Sequence, residues 1–284
     1  MYKYKVLIFL FLTILFSCTK ESENNDDIEN IIHLSHCKKN EADTEYYAID
    51  EMIDTMVMKI DFSNYSVLLL GGDLAKRSSV DNDTISFLDS IFNFSSDNTL
   101  WALGNHDYND TALIKIYTHK PTFYAYYKNG ITYIVFDTQK DQNQIINEQR
   151  EMFDNVVDTI NNSSHLIIIH HIMVWMYGNS DLEPSINDIS NGVFGTCSYC
   201  LHPNNFYDDI YPSLVEVKQK GIEVICIAGD IGMRVDKFEY TTNDNIHFLA
   251  SGIRAGYSDS KVLIFKHNLT NKELTWDFKL LSEL

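Results

Sequence analysis

Apolar runs in this chain stop abruptly at small and polar residues in four places. Val67-Leu68-Leu69-Leu70 gives way to Gly71-Gly72-Asp73, and Leu100-Trp101-Ala102-Leu103 to Gly104-Asn105-His106-Asp107. Leu166-Ile167-Ile168-Ile169 ends in His170-His171, and the run over 224–228 ends in Gly229-Asp230. A short unbroken apolar run bounded by turn residues is the pattern of a strand buried on both faces. In α/β proteins the loops beyond the carboxyl ends of such strands bind ligands. The runs therefore predict strands that deliver Asp, Asn with His, His and Asp to one rim.

Between the runs the period changes. After a first strand over 31–34, Ile49, Met52, Ile53, Met56 and Ile60 recur at three- and four-residue spacing and predict a helix. Residues 81–94 predict another through Ile85, Leu88, Ile91 and Phe92, with acidic residues in the first turn. Strand, helix, strand, helix, strand implies parallel pairing. The segments 122–127 and 131–137, rich in aromatic and β-branched residues, flank Asn129-Gly130 and predict an antiparallel hairpin. Residues 145–160 predict a helix with Met152, Phe153, Val156, Val157 and Ile160 on its buried face, and 214–220 a short helix closed by Gly221. Segments 246–249, 262–265 and 274–278 read as strands that finish a second sheet. Residues 173–209 lack periodicity, and loops of that length are functional lids or binding loops.

Charge and the N-terminus narrow the setting. A chain of 284 residues suits one α/β domain, and no repeat or internal boundary interrupts it. The net charge of −18 disfavours nucleic acid, because phosphate neutralisation needs a basic surface. Lys3 and Lys5 precede an apolar run over 6–16, shorter than the ~20 residues of a membrane-spanning helix and of signal-peptide length. Leu15-Phe16-Ser17-Cys18 then resembles a bacterial lipobox, with an ordinary cleaved signal as the alternative. The division is a lipoprotein signal over 1–18 with Cys18 lipidated, a flexible acidic tether over 19–30, and the folded domain over 31–284. That places the protein outside the cytoplasm, lipid-anchored to a bacterial membrane. Cys226 lies in an apolar strand as a small hydrophobe, Cys197 and Cys200 form a lone CxxC that allows a local disulfide but lacks the second pair a zinc knuckle needs, and nothing in the sequence assigns Cys37 a role of its own.

The order Gly72-Asp73, Gly104-Asn105-His106-Asp107, a strand ending in His170, and Gly229 at a later strand end resembles the calcineurin-like metallophosphoesterases over about residues 30–284. The resemblance implies an α/β fold, a four-layer α/β/β/α sandwich of two mixed sheets flanked by helices. It also implies two divalent metals that activate water against a phosphoester. Carboxylate, amide and imidazole suit hard or borderline divalent ions. By resemblance Asp73 bridges the metals, Asn105 and His170 hold the second, His106 faces the phosphate, and Asp107 fixes its imidazole.

The departures from the family fall unevenly. Where the family has DxH, this chain has His36 and Lys38; where it has GHxH, the chain has Asp230 and Gly232. The first metal would keep only His36 and Asp73, whereas the second would keep Asp73, Asn105, His170 and Asp230. One divalent ion per chain, Mn, Fe or Zn, is therefore expected, and the Lys38 ammonium either stands in for the missing charge or points to solvent. A one-strand shift would instead make His33 the first ligand, and strand alternation admits only one of His170 and His171 to the site. Arg77 and Arg234 follow two of the motifs and read as surface groups with an outside claim on an anionic substrate. The expectation is a metal-dependent phosphoesterase acting on a phosphorylated substrate; the alternative is a non-catalytic binding lipoprotein on the same scaffold.

Overall fold

The computed structural model describes residues 27–39, 52–196 and 201–284. Cys18 and the CxxC lie outside them, as do most of the predicted signal and tether. In chain order the elements are β1 (Ile28–Leu34), β2 (Val67–Leu70), α1 (Asn82–Phe92), β3 (Thr99–Trp101), α2 (Thr111–Thr118), β4 (Tyr124–Lys128) and β5 (Ile131–Val135). They continue with α3 (Asn147–Thr159), β6 (His165–His170), α4 (Ile186–Ile189), α5 (Tyr211–Gln219), β7 (Glu223–Ala228), β8 (Lys237–Thr241), β9 (His247–Ser251), β10 (Lys261–Asn268) and β11 (Leu274–Leu280).

Among the described residues these strands make two mixed sheets, ordered β11-β10-β1-β2-β3 and β4-β5-β6-β7-β9-β8. In the first, β1, β2 and β3 are parallel and β10 and β11 antiparallel; in the second, β5, β6, β7 and β9 are parallel, with β4 and β8 antiparallel at the edges. Side-chain alternation builds the layers. Ile31, Leu69 and Leu100 meet Ile167, Ile169 and Ile227 between the sheets. The opposite faces pack outward, Ile32 and Leu34 toward Ile85 and Leu88 of α1, and Leu166 and Ile168 toward Phe153 of α3 and Leu214 of α5. The expected α/β/β/α sandwich is thus the fold.

Some elements differ from their expectation. Only part of the helix predicted from Ile49 to Ile60 is described; there Ile53 pairs with Lys38 in a β-bridge and Val57–Lys59 form a single 3-10 turn. The apolar residues at helical spacing are met instead by a turn folded against the first sheet, with Ile53, Val57 and Ile60 buried. β1 begins at Ile28, inside the stretch assigned to the tether, and pairs there with Asn268. The late strands do not all finish the second sheet. β9 joins it, but β10 and β11 extend the first, because β10 returns antiparallel beside β1. The Asn129-Gly130 turn is as expected, with φ of 51° and 93°. The described part of the 173–209 segment is packed rather than open. Met173, Trp175, Leu182, Ile186 and Phe206 belong to the core beneath the second sheet.

His33 lies between the sheets, fully buried, with Nδ1 2.8 Å from Ser251 Oγ. It is therefore not a site residue. Burial, and then the nearby His170, push its pKa from 6.5 to about 3. The folded state therefore binds fewer protons than the unfolded one, so the stability His33 contributes is complete above pH 6.5 and lost as pH falls toward 3. Denaturant unfolding at pH 7 and pH 5 should show a lower stability at pH 5, by on the order of 2 kcal/mol for such an imidazole. A midpoint that does not move contradicts this account of His33.

Candidate active site

The carboxyl ends of β2, β3, β6 and β7 converge across the gap between the sheets. Gly72 sits at φ 92°, and a Cβ there would lie 2.6 Å from both Gly104 N and His171 Nδ1. Only glycine permits that approach. Asp73 follows at φ 55° and is buried.

Asp107 fixes this turn. Its carboxylate accepts the backbone N–H of Asp73 (2.6 Å), Leu74 (3.0 Å) and Gly104 (2.9 Å), the Ser78 hydroxyl, and the Trp101 indole N–H (3.3 Å). Burial, and then the charge of Asp73, push the Asp107 carboxyl up, against the pull of the Ser78 and Gly104 donors. The expectation that Asp107 holds the His106 imidazole is corrected. His106 Nδ1 lies 2.8 Å from the Lys76 carbonyl, which can only accept, so that nitrogen donates. The His106 backbone N–H donates to Asp73 Oδ1 (3.0 Å), and its Nε2 is 3.9 Å from Asp73 Oδ2. At 34 % exposure, the His106 side chain opens to solvent while Asp73, His171 and Asp230 beside it are closed off.

His171, not His170, turns into the site. His170 shares the parity of Leu166 and Ile168, so it enters the helix-side core, with Nδ1 2.6 Å from the Ile172 carbonyl and its ring edge-on to Trp175. Burial pushes its pKa to about 3. His171, one residue past the strand, places Nδ1 2.7 Å from the Gly71 carbonyl. Its Nε2, buried and without a hydrogen-bond partner, faces Asp73 Oδ1 at 3.6 Å and Asp230 Oδ1 at 3.7 Å.

The other predicted residues divide. Asp230 is in the cluster, its Oδ2 accepting the Ser190 hydroxyl (2.9 Å) and the Gly192 N–H (3.2 Å). His36, at φ 52°, places Nε2 3.1 Å from Asp73 Oδ2 and 2.7 Å from Asn191 Nδ2. Asn105 is half-buried between Gly104 and His106. Lys38 is 5 % exposed, so it does not point to solvent. Arg77 is exposed, and the Arg234 guanidinium donates to the Ser190 and Asn191 carbonyls instead of facing the site. Ser190, Asn191 and Gly192 had no local signal in the sequence beyond lying in a long aperiodic segment.

The electrostatics of the two acids differ. Burial pushes Asp73 up, but the charge of His171, the His36 contact and the charges of His36 and His106 outweigh it and hold Asp73 well below the carboxylate range. Burial wins at Asp230 and raises it, with His171 and His36 opposing.

These residues fit a divalent cation in their chemistry. With Nδ1–H donating to the Gly71 carbonyl, His171 Nε2 faces two carboxylate oxygens, so that one imidazole nitrogen and two carboxylates border a position suited to a cation. The donors meet in pairs about Asp73. Among the described residues no group of three or more His, Cys, Asp or Glu stands assembled to hold an ion.

A two-sheet sandwich that brings carboxylates and imidazoles together at its strand ends is an arrangement that suits metal-assisted hydrolysis. The chain belongs to the calcineurin-like phosphoesterase family, whose model matches residues 30–184. Divalent metal use comes with that family. The match ends before Asp230. A dimetal phosphatase from Danio rerio is similar in structure at 10% identity, covering 89% of this chain and 96% of that one, with a TM-score of 0.52. A Haemophilus influenzae NAD nucleotidase (11% identity, TM-score 0.42) and a Thermus thermophilus 5'-nucleotidase precursor (10%, 0.44) are each matched over 89% of this chain, which spans 50% and 54% of their lengths. No curated protein sequence matches the chain.

The two adjacent histidines are separable. His171→Ala should weaken Mn2+ binding at least about 100-fold, since ligand loss exceeds the 10–100-fold of an outer partner. His170→Ala should leave binding unchanged and cost roughly 2 kcal/mol in denaturant unfolding. The reverse pattern would return the ligand role to His170.

Proposed function

We propose that this protein is an extracytoplasmic phosphoester hydrolase that works with one divalent cation, held by Asp73, Asn105, His171 and Asp230. The observation that carries the reading is the placement of His106: tethered at Nδ1 by the Lys76 carbonyl, 3.9 Å from Asp73, and 34 % exposed beside a buried acceptor cluster. The cation, when bound, supplies Lewis acidity toward the phosphoryl oxygens and a nucleophile from water. Which ion serves is left to measurement among Mn, Fe and Zn, all suited to mixed oxygen and imidazole donors.

His106 handles the proton and the developing charge. With Nδ1–H engaged, a doubly protonated imidazole presents Nε2–H outward, where it hydrogen-bonds a phosphoryl oxygen or protonates the leaving oxygen. Asp73, held anionic, would carry the cation, and its Oδ1 accepts the His106 N–H, fixing the two groups relative to each other. Lys38, covered at the position of a lost ligand, is the candidate ammonium for clamping the phosphate.

An aryl phosphomonoester and phosphodiester assay with Mn, Zn, Mg and Fe tests the reading. Metal-dependent turnover should fall about 10²–10⁴-fold in His106→Ala without loss of ion binding. Equal background in both proteins would favour a non-catalytic binder on this scaffold.

Cys18 carries the location. A lipobox-like stretch ahead of a polar, acidic segment supports a lipid-anchored protein. In a bacterial host the full chain should fractionate with membranes and incorporate labelled fatty acid, and Cys18→Ala should do neither; an unchanged fraction sinks the anchor.

A further inference from the structure

We infer that the loop residue Asn191, rather than an ion, occupies the first metal position. The inference rests on the one-cation reading above and explains why that site takes one cation.

The chain of contacts is short. The Met233 N–H donates to Asn191 Oδ1 at 2.7 Å, which fixes the amide so that Nδ2 faces His36. Nδ2 lies 2.7 Å from His36 Nε2. That nitrogen also lies 3.1 Å from Asp73 Oδ2, so its single in-plane position is occupied whether it accepts from the amide or donates to the carboxylate. With the Asn191 amide 2.7 Å away, His36 Nε2 has no open approach for a first metal. The amide therefore sits against His36, one of the two groups, with Asp73, that would hold that ion.

Two further features close the position. Gly232 replaces the last histidine of the family motif at φ 127°, and a Cβ there would lie 2.7 Å from the Ile253 carbonyl and 3.3 Å from His36 Cβ. No side chain fits without a backbone shift. The loop is also clamped in place. The Asn191 N–H donates to the Asp230 carbonyl at 2.9 Å, Ser190 and Gly192 donate to Asp230 Oδ2, and Arg234 holds the Ser190 and Asn191 carbonyls. Asp230 thereby serves two sides, with Oδ2 on the loop and Oδ1 facing His171. A single histidine nitrogen in its place could not do both.

Replacing the amide should reopen the position. Asn191→Asp keeps an oxygen for the Met233 N–H and puts a carboxylate oxygen beside His36 and Asp73. Mn2+ alone is the probe, counted by calorimetric titration and by electron paramagnetic resonance on the full folded chain. The variant should bind one more Mn2+ per chain than wild type, with the signature of a coupled pair, and His36→Ala in the same background should remove the gained ion. Asn191→Ser, which withdraws the amide from His36 without adding charge, should gain a weaker second ion and guards against misfolding of the first variant. No gain in either variant overturns the inference, and so does a wild-type count of two. A wild-type count of zero sinks the one-cation reading, while the gain or its absence still decides the role of Asn191.

Discussion

The site depends on one buried carboxylate. Asp107 collects three backbone N–H groups, a hydroxyl and an indole N–H, and these come from three segments: the turn after β2, the Ser78 loop and the end of β3. A buried anion without partners costs several kcal/mol, and charge-assisted hydrogen bonds contribute about 1.5–3 kcal/mol each, so this group is tolerable only with the loops in this arrangement. The motif's last residue is thus the fastener of the first two motifs. Trp101 extends the effect into the core, stacked on Phe94 at 4.4 Å. His106 gains its orientation from a different source, the Lys76 carbonyl on the same fastened loop.

Close approach of the two sheets is the second constraint. A Cβ at Gly229 would collide with the Gly71 carbonyl, and one at Gly104 with the Asp73 carboxylate. Glycine at these positions lets Asp73 from the first sheet reach His171 and Asp230 from the second. The resulting field is uneven, with Asp73 held anionic and Asp230 raised by burial. Under the one-cation reading Asp73 is the anchor, and a cation beside Asp230 would oppose the rise that burial imposes on it.

Much of this was legible in the residues. The apolar runs and the Asn129-Gly130 turn announce strands with a hairpin between them, and the polar tetrapeptide at a strand end announces the rim. Parity was the missing information. Whether His170 or His171 faces the rim turns on where the strand stops, and a one-residue slip changes the face of every side chain. The strand runs through His170, which sends that ring into the helix-side core and leaves His171 for the turn. The 49–60 segment misled for the related reason that apolar spacing reports burial, not hydrogen bonding; its described part is buried as a turn. Partners such as Asn191 were beyond reach because a contact 155 residues away in sequence leaves no local pattern.

The substitutions at the first metal position also make sense as charge accounting. Against the family pattern, His36 for Asp removes one negative charge and Lys38 for His adds one positive charge, a formal change of +2, which equals the charge of one divalent ion. Asp230 for His returns −1, and it does so on the side where the one-cation reading keeps its ion. A pocket that exchanged an ion for a lysine, an imidazole and a clamped amide would keep the electrostatic support a phosphate needs while losing the second Lewis acid. Random decay would scatter polar losses over both metal positions. Here the losses fall at the first position, and the one change on the second supplies another anionic donor, whose spare oxygen secures the loop that covers the first.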